Sequence, residues 1–351
     1  MFVKSLVRII LLPVVIIFLV ACSSSDGRAY DYDYDEYDNG YEYCQYEITE
    51  CETELLLIAE MACFLAAIHA LWDADDGAMW GVPLHTPIIF VDDTRVAVAS
   101  HPDWQGEFVR QYFDDVPVYV GTRWPPAYYS YLPWDGQTGV VWSWRYVQSH
   151  INEESRESIL RLITHSGFHA RQLYIMGFKG ASPAGLPHGT EAWISFNLEA
   201  SALAQALRST GDERLAIIHD ALSIRHARRQ AFDSAYAENW LQISEGTAVY
   251  TETVLVHGSQ EAVDVIIERL EMLIGMSNSA TRAALDISYA GGAAYGILLD
   301  DFGIDWRPYV DRYADLGLML KEGLGITEFI PLEEIDLEKY GYSEIAARRR
   351  L

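Results

Sequence analysis

The spacing of apolar positions changes character four times along the chain. Ile9 to Val20 is one apolar run, interrupted only by Pro13. Residues 23–43 alternate Ser, Asp, Tyr, Glu and Gly with almost no aliphatic side chain, so they cannot bury a core and read as a stalk. Within 45–72, Leu55, Ile58, Met61, Ala62, Leu65 and Ile68 recur at steps of three and four, which predicts a helix. From 86 to 148 the pattern becomes short β-branched and aromatic runs at 87–91, 96–99, 116–120 and 140–144. Asp92-Asp93, Pro102-Asp103, Pro125-Pro126 and Asp135-Gly136 separate them, predicting a small, mostly antiparallel sheet. After Asn152 the period returns to helical. Asn152 with Glu153 and Glu154 forms a helix start, and that helix runs to about Gly177. Further helices are expected near 191–208, 212–229, 234–256, 259–273, 279–299 and 306–322, each break carrying Gly, Asp or Ser. The order of helix, sheet and helical bundle predicts an α+β fold.

The first apolar run is too short to cross a bilayer comfortably, follows Lys4 and Arg8, and ends in Leu19-Val20-Ala21-Cys22. It resembles the signal and lipobox of bacterial lipoproteins. That resemblance implies cleavage after Ala21, a lipid on Cys22, and a chain held outside the cytoplasm at a membrane. The expected organisation is a signal peptide at 1–21, an acidic Tyr-rich stalk at 22–43 and a folded domain at 44–351. Within that domain a sheet-containing lobe spans about 73–150 and a helical lobe about 151–325.

The formal net charge is −26, and loss of Lys4 and Arg8 makes it more negative still. Such a surface argues against nucleic acid as a partner, because phosphate binding requires clustered Lys and Arg. Cys44, Cys51 and Cys63 are an odd number. At most one pair forms, Cys44–Cys51 or Cys51–Cys63, and Cys63 alternatively stays a buried free thiol.

The chemistry is carried by His165-Ser166-Gly167-Phe168-His169 in the first helix of the helical half. Histidines at i and i+4 lie on one helix face, within reach of one zinc ion. The same spacing occurs in the HExxH signature, whose Glu activates a zinc-bound water. Here Ser166 stands at that position. Downstream, Trp240-Leu241-Gln242-Ile243-Ser244-Glu245-Gly246-Thr247-Ala248-Val249-Tyr250 resembles the third-ligand helix of the gluzincins, the thermolysin-like and aminopeptidase-like zinc peptidases. The wider resemblance covers about residues 86–325, and only the two helices carry sharp motifs.

The resemblance implies a zincin-like fold, zinc held by His165, His169 and Glu245, and metallopeptidase-like function. Glu199 on the intervening helix competes as a ligand or as a group orienting a ligand histidine. Tyr289 takes the place of a carbonyl-polarising residue, or packs its helix beside Gly291 and Gly292; Tyr295 is equally placed. A serine hydroxyl does not ionise near neutral pH, so Ser166 implies lost or impaired catalysis. Two other readings stay open: an active hydrolase taking its base from Glu199 or Glu252, and a metal-free scaffold lipoprotein. A peptide or a cell-envelope component is the expected ligand. Arg225, Arg228 and Arg229 share a helix with His219 and His226, and read as a solvated face or a carboxylate clamp. Arg348 to Arg350 read as a frayed tail, with contact to anionic lipid as the alternative.

Overall fold

The computed structural model describes residues 53–93, 96–101, 109–113, 116–121, 129–134, 136–153, 156–178, 185–276 and 279–348. The expected signal peptide, Cys22, the stalk, Cys44 and Cys51 lie outside them.

Helix α1 (Thr53–Asp75) follows the expected period, and residues 45–52 of the expected helix lie outside the described residues. Its residues Leu57–Asp75 are apolar and long enough to cross a membrane by length and composition. Ile58, Met61, Leu65, Ile68 and Trp72 of that helix are buried in the main core. Cys63 is disulfide-bonded, so it is not a free thiol; its partner falls outside the described residues.

The sheet has six strands: β1 (Ile88–Val91), β2 (Ala97–Ala99), β3 (Val109–Phe113), β4 (Val116–Gly121), β5 (Tyr129–Trp134) and β6 (Gln137–Ser143). Their order is β3-β4-β2-β1-β6-β5. The sheet is mixed rather than simply antiparallel, because β1 pairs with β6 in parallel at its centre. The remaining neighbours are antiparallel. Central β1 is buried on both faces: Ile88 and Phe90 join the main core, while Ile89 and Val91 join a smaller cluster with Trp134 and Val141. Strands β3 and β5 carry no apolar alternation that marks them in the sequence. Both are edges, and an edge strand tolerates polar residues and a proline such as Pro133.

Strand β6 ends at Ser143, one residue before the expected run does. A helix α2 (Trp144–Glu153) follows directly, and α3 (Arg156–Met176) carries the histidines, so Asn152 does not open the long helix. The reason is the period from Trp144: Trp144 and Val147 are both buried at i and i+3. The Trp144 ring packs edge-on against Phe64, with centroids 5.6 Å apart, and against Phe90 at 5.1 Å.

The helical half continues with α4 (Thr190–Arg208), α5 (Gly211–Phe232), α6 (Ala235–Leu241), a π-helical turn Gln242–Gly246, α7 (Thr247–Leu273), α8 (Ala280–Asp301), α9 (Leu316–Gly323) and α10 (Tyr342–Arg348). The break expected between 256 and 259 is a kink inside α7 at Gly258, whose φ of 73° is strained for any other residue. The single helix expected over 306–322 is instead a 3-10 turn, Arg307–Tyr309, followed by α9. Pro308 interrupts helical hydrogen bonding, and the Asp315 carboxylate caps α9 by accepting from the Leu318 amide at 3.0 Å. Arg348 does not fray: it donates to the Ile274 carbonyl and to Glu344.

The face holding Arg225, Arg228 and Arg229 is not solvated. All three are buried, against Glu199, Glu238 and Asp315. Of the two histidines on α5, His219 bonds to the Glu328 carbonyl at 2.8 Å and His226 stacks on Phe329 at 3.9 Å.

Candidate metal centre

Helix α3 sets His165 and His169 one turn apart, and their Nε2 atoms stand 3.0 Å from each other. Only a glycine fits at position 167. A Cβ there would lie 2.5 Å from Cζ2 of Trp72, whose indole from α1 covers the helix between the two histidines. Glu245 comes from the π-helical turn, where one extra residue per turn re-aims the side chains. That turn crosses α8 at backbone contact. A Cβ on Gly246 would meet the Gly292 Cα at 2.6 Å, so the pair of glycines permits the approach that carries Glu245 to α3. Glu245 Oε2 then lies 3.1 Å from His169 Nε2 and 3.5 Å from His165 Nε2.

The outward nitrogens decide what these three atoms are. His165 Nδ1 is 2.8 Å from Glu252 Oε2, and a carboxylate only accepts, so Nδ1 carries the hydrogen. Gln172 donates its amide nitrogen to the Ser244 carbonyl at 3.0 Å, which leaves Oε1 to accept from His169 Nδ1 at 3.1 Å. With both Nδ1 atoms engaged outward, the inward Nε2 atoms are the ones that a metal ion would take, as lone pairs, on displacing a proton. With Glu245 Oε2 they form a triangle that could hold a metal ion; without one, a proton on His165 Nε2 serves the same contacts. Tetrahedral zinc with ligands at about 2.1 Å requires ligand atoms about 3.4 Å apart. The observed sides of 3.0, 3.1 and 3.5 Å match that face and leave the fourth position for water or a ligand. Residues and geometry thus fit zinc.

Electrostatics agree. Burial lowers the His165 imidazole, but the Glu252 and Glu245 carboxylates outweigh it and hold the group up at about 9. Burial raises the Glu245 carboxyl, and its hydrogen bonds and charge contacts with His165 and His169 hold it well below the usual carboxylate range. The pocket is built to keep positive charge between these groups. Glu252 is itself held by Arg269, which donates to Oε1 at 3.1 Å. Tyr289 lies parallel to the His165 ring at 6.4 Å. Burial, then the hydrogen-bonded Glu245 carboxylate, pushes its phenol up, so it stays a neutral donor.

The structure thus brings His165, His169, Glu245 and Tyr289 together. It takes Glu199 elsewhere: its oxygens accept from Arg228 at 2.5 Å and from Tyr295 at 2.8 Å, within the buried charge cluster. Tyr295 goes with it. Ser166 is 2 % exposed and donates its hydroxyl to the Leu162 carbonyl at 3.0 Å, back along its own helix. Its carbonyl accepts from Tyr131 on edge strand β5 at 3.4 Å.

Two groups that the motifs do not announce are Gln172 and, as a partner of His165, Glu252. Their spacing is the available signal: Gln172 is one helical turn beyond His169, and Glu252 two turns beyond Glu245. Groups that fix a ligand histidine commonly contribute 10–100-fold to metal affinity. Gln172→Ala is therefore expected to weaken zinc binding by about that factor, read in a competition titration against a chromophoric chelator. An unchanged affinity would mean that His169 is oriented by its helix alone. Comparison with models of protein families, with curated proteins and with solved structures finds no match to this chain, so what the site does is argued from its geometry.

Proposed function

We propose that this chain is a lipid-anchored, extracytoplasmic zinc protein of gluzincin-like, zincin-type architecture, with hydrolysis lost or impaired at Ser166. The observation that carries the reading is the triangle of His165, His169 and Glu245, with both outward histidine nitrogens already engaged by Glu252 and Gln172. Zinc held there would supply Lewis acidity to a carbonyl oxygen or a water at its fourth position. Tyr289 would turn its single hydroxyl hydrogen from Glu245 to an oxygen bound beside it. Proton abstraction is what the chain lacks. Ser166 donates its hydroxyl inward, and a serine does not ionise near neutral pH. Neither relocated base is available, because Glu252 is shared between His165 and Arg269, and Glu199 between Arg228 and Tyr295. A peptide or cell-envelope component bound at the zinc, without efficient cleavage, is the function this set of side chains supports.

The test is metal content. The full chain, extracted in detergent and dialysed without chelator, is expected to retain close to one zinc. The His165→Ala, His169→Ala double variant is expected to lose it. Failure to retain zinc even after addition would sink the metal reading and favour a scaffold whose histidines are structural.

Catalysis can be tested separately by Ser166→Glu. General-base catalysis typically contributes 10²–10⁴-fold. Restoring the carboxylate is expected to raise peptide hydrolysis by about 10²-fold or more over the parent chain. If a folded, zinc-loaded Ser166→Glu protein gained nothing, impairment at Ser166 alone would be wrong, and substrate geometry would have to be absent too.

A further inference from the structure

Helix α7 is folded back on itself. Glu252 and Arg269 are 17 residues apart, which in a straight helix would separate them by about 25 Å. Instead Arg269 Nη1 donates to Glu252 Oε1 at 3.1 Å. The chain reverses at Gly258, whose φ of 73° and ψ of 162° are not helical. The arm after Gly258 is held by its apolar face. Ala262, Ile266 and Leu270 recur at steps of four and are buried, with Ile267 beside them. Arg269 is therefore presented by a packed helix, while its own side chain stays 30 % exposed.

Glu252 stands between this arm and the metal centre, and its two oxygens are divided. Oε1 accepts from Arg269, and Oε2 lies 2.8 Å from His165 Nδ1. The last torsion of a glutamate is broad, so a carboxylate held at one oxygen alone can swing. A guanidinium on Oε1 fixes the plane in which Oε2 meets the imidazole. That plane sets the direction of His165 Nε2, the atom that a metal ion would take.

We propose that Arg269 is a positioning residue for the metal centre, acting through Glu252 on His165. The inference rests on the metal reading above. It makes the reversal at Gly258 part of the site, because one of the orientations that the ligand histidines need comes from the far arm of α7. The sign of the effect separates positioning from bulk charge. A guanidinium near a cation repels it, so charge alone predicts tighter zinc binding by Arg269→Gln. Positioning predicts weaker binding. Arg282 is the control: its charge, like that of Arg269, reaches Tyr289 beside the centre, but it is paired with Asp286 rather than with Glu252.

The experiment is a competition titration of zinc against a chromophoric chelator on the full chain in detergent, with the melting temperature of each variant recorded beside it. Arg269→Gln is expected to weaken zinc binding by about tenfold, the lower end of what an orienting group contributes. Arg269→Lys is expected to retain most of the affinity, and Arg282→Gln to leave it unchanged or slightly tighter. In a Glu252→Ala background, Arg269→Gln is expected to cost nothing further, because the route to His165 is gone. Unchanged or tighter binding by Arg269→Gln, or an equal loss with and without Glu252, would overturn this inference alone. A parent chain that binds no zinc would sink the metal reading and this inference with it.

Discussion

Glu245→Ala is expected to lower zinc affinity by on the order of a thousandfold or more, beyond the 10–100-fold that an orienting group such as Gln172 contributes. Glu245 Oε2 closes the triangle at 3.1 and 3.5 Å from the two Nε2 atoms. The flanking Ser244 hydroxyl donates to Oε1 at 3.4 Å and leaves Oε2 to the ion. Removing it leaves two histidines, too few for a closed zinc site. Glu199→Gln is the matched control. Glu199 is engaged by Arg228 and Tyr295, so its replacement is expected to lower the melting temperature and leave zinc affinity unchanged. The same competition titration on both variants separates the two candidate third ligands. A loss of affinity in Glu199→Gln, with none in Glu245→Ala, would reverse the assignment.

The largest expected effect on stability is that of Glu238→Ala, a loss of about 3–5 kcal/mol, the usual cost of breaking one partner out of a buried ion pair. Glu238 is fully buried, 0 % exposed. Its carboxylate accepts from Arg228 at 3.2 and 2.7 Å, from Arg229 at 2.9 Å and from the Ser234 hydroxyl at 2.5 Å. Arg229 continues to Asp315 at 2.8 Å, and Arg225 joins Asp315 at 2.7 Å, so three buried guanidinium groups face the buried Glu199 and Glu238 and the partly buried Asp315. Their charges cancel only while every member is present. Arg225 also donates to Asn239 and Gln242, which ties the cluster to the start of the turn that carries Glu245. Glu238→Ala is therefore expected to weaken zinc binding as well as folding.

The same residue sets a pH dependence. Burial raises the Glu238 carboxyl, but Arg228, then Arg229 and Ser234, outweigh it and bring it from 4.5 down to about 2. A depressed native value means the unfolded chain binds this proton more readily. The contribution is complete above about pH 4.5 and disappears as the pH falls toward 2. Denaturant melts across that window should lose stability in the parent chain and show a smaller slope in Glu238→Ala. Equal slopes would mean that other carboxylates govern acid unfolding.

Local spacing was enough to determine several features of this protein. The three- and four-residue period of α1, the i, i+4 histidines of α3, the break at Gly258 and the apolar runs that became β1, β2, β4 and β6 are all statements about neighbouring residues. Glu245 was singled out not by spacing but by the resemblance of its segment, Trp240-Leu241 before it and Gly246 after it, to a third-ligand helix. What depends on partners distant in sequence was decided only by tertiary structure. The edge strands β3 and β5 are held by their neighbours rather than by alternation of their own side chains. Arg225, Arg228 and Arg229 look like a solvated face because charge normally implies water. They are buried because Glu199, Glu238 and Asp315 arrive from three other segments to neutralise them. The choice between Glu199 and Glu245 followed from that arrangement, since a carboxylate already surrounded by guanidinium groups is not free to face a metal ion. Gln172 and Glu252 acquire their roles only when α3 and α7 pack together, because the orientation of an imidazole depends on what holds its outer nitrogen across the helix interface.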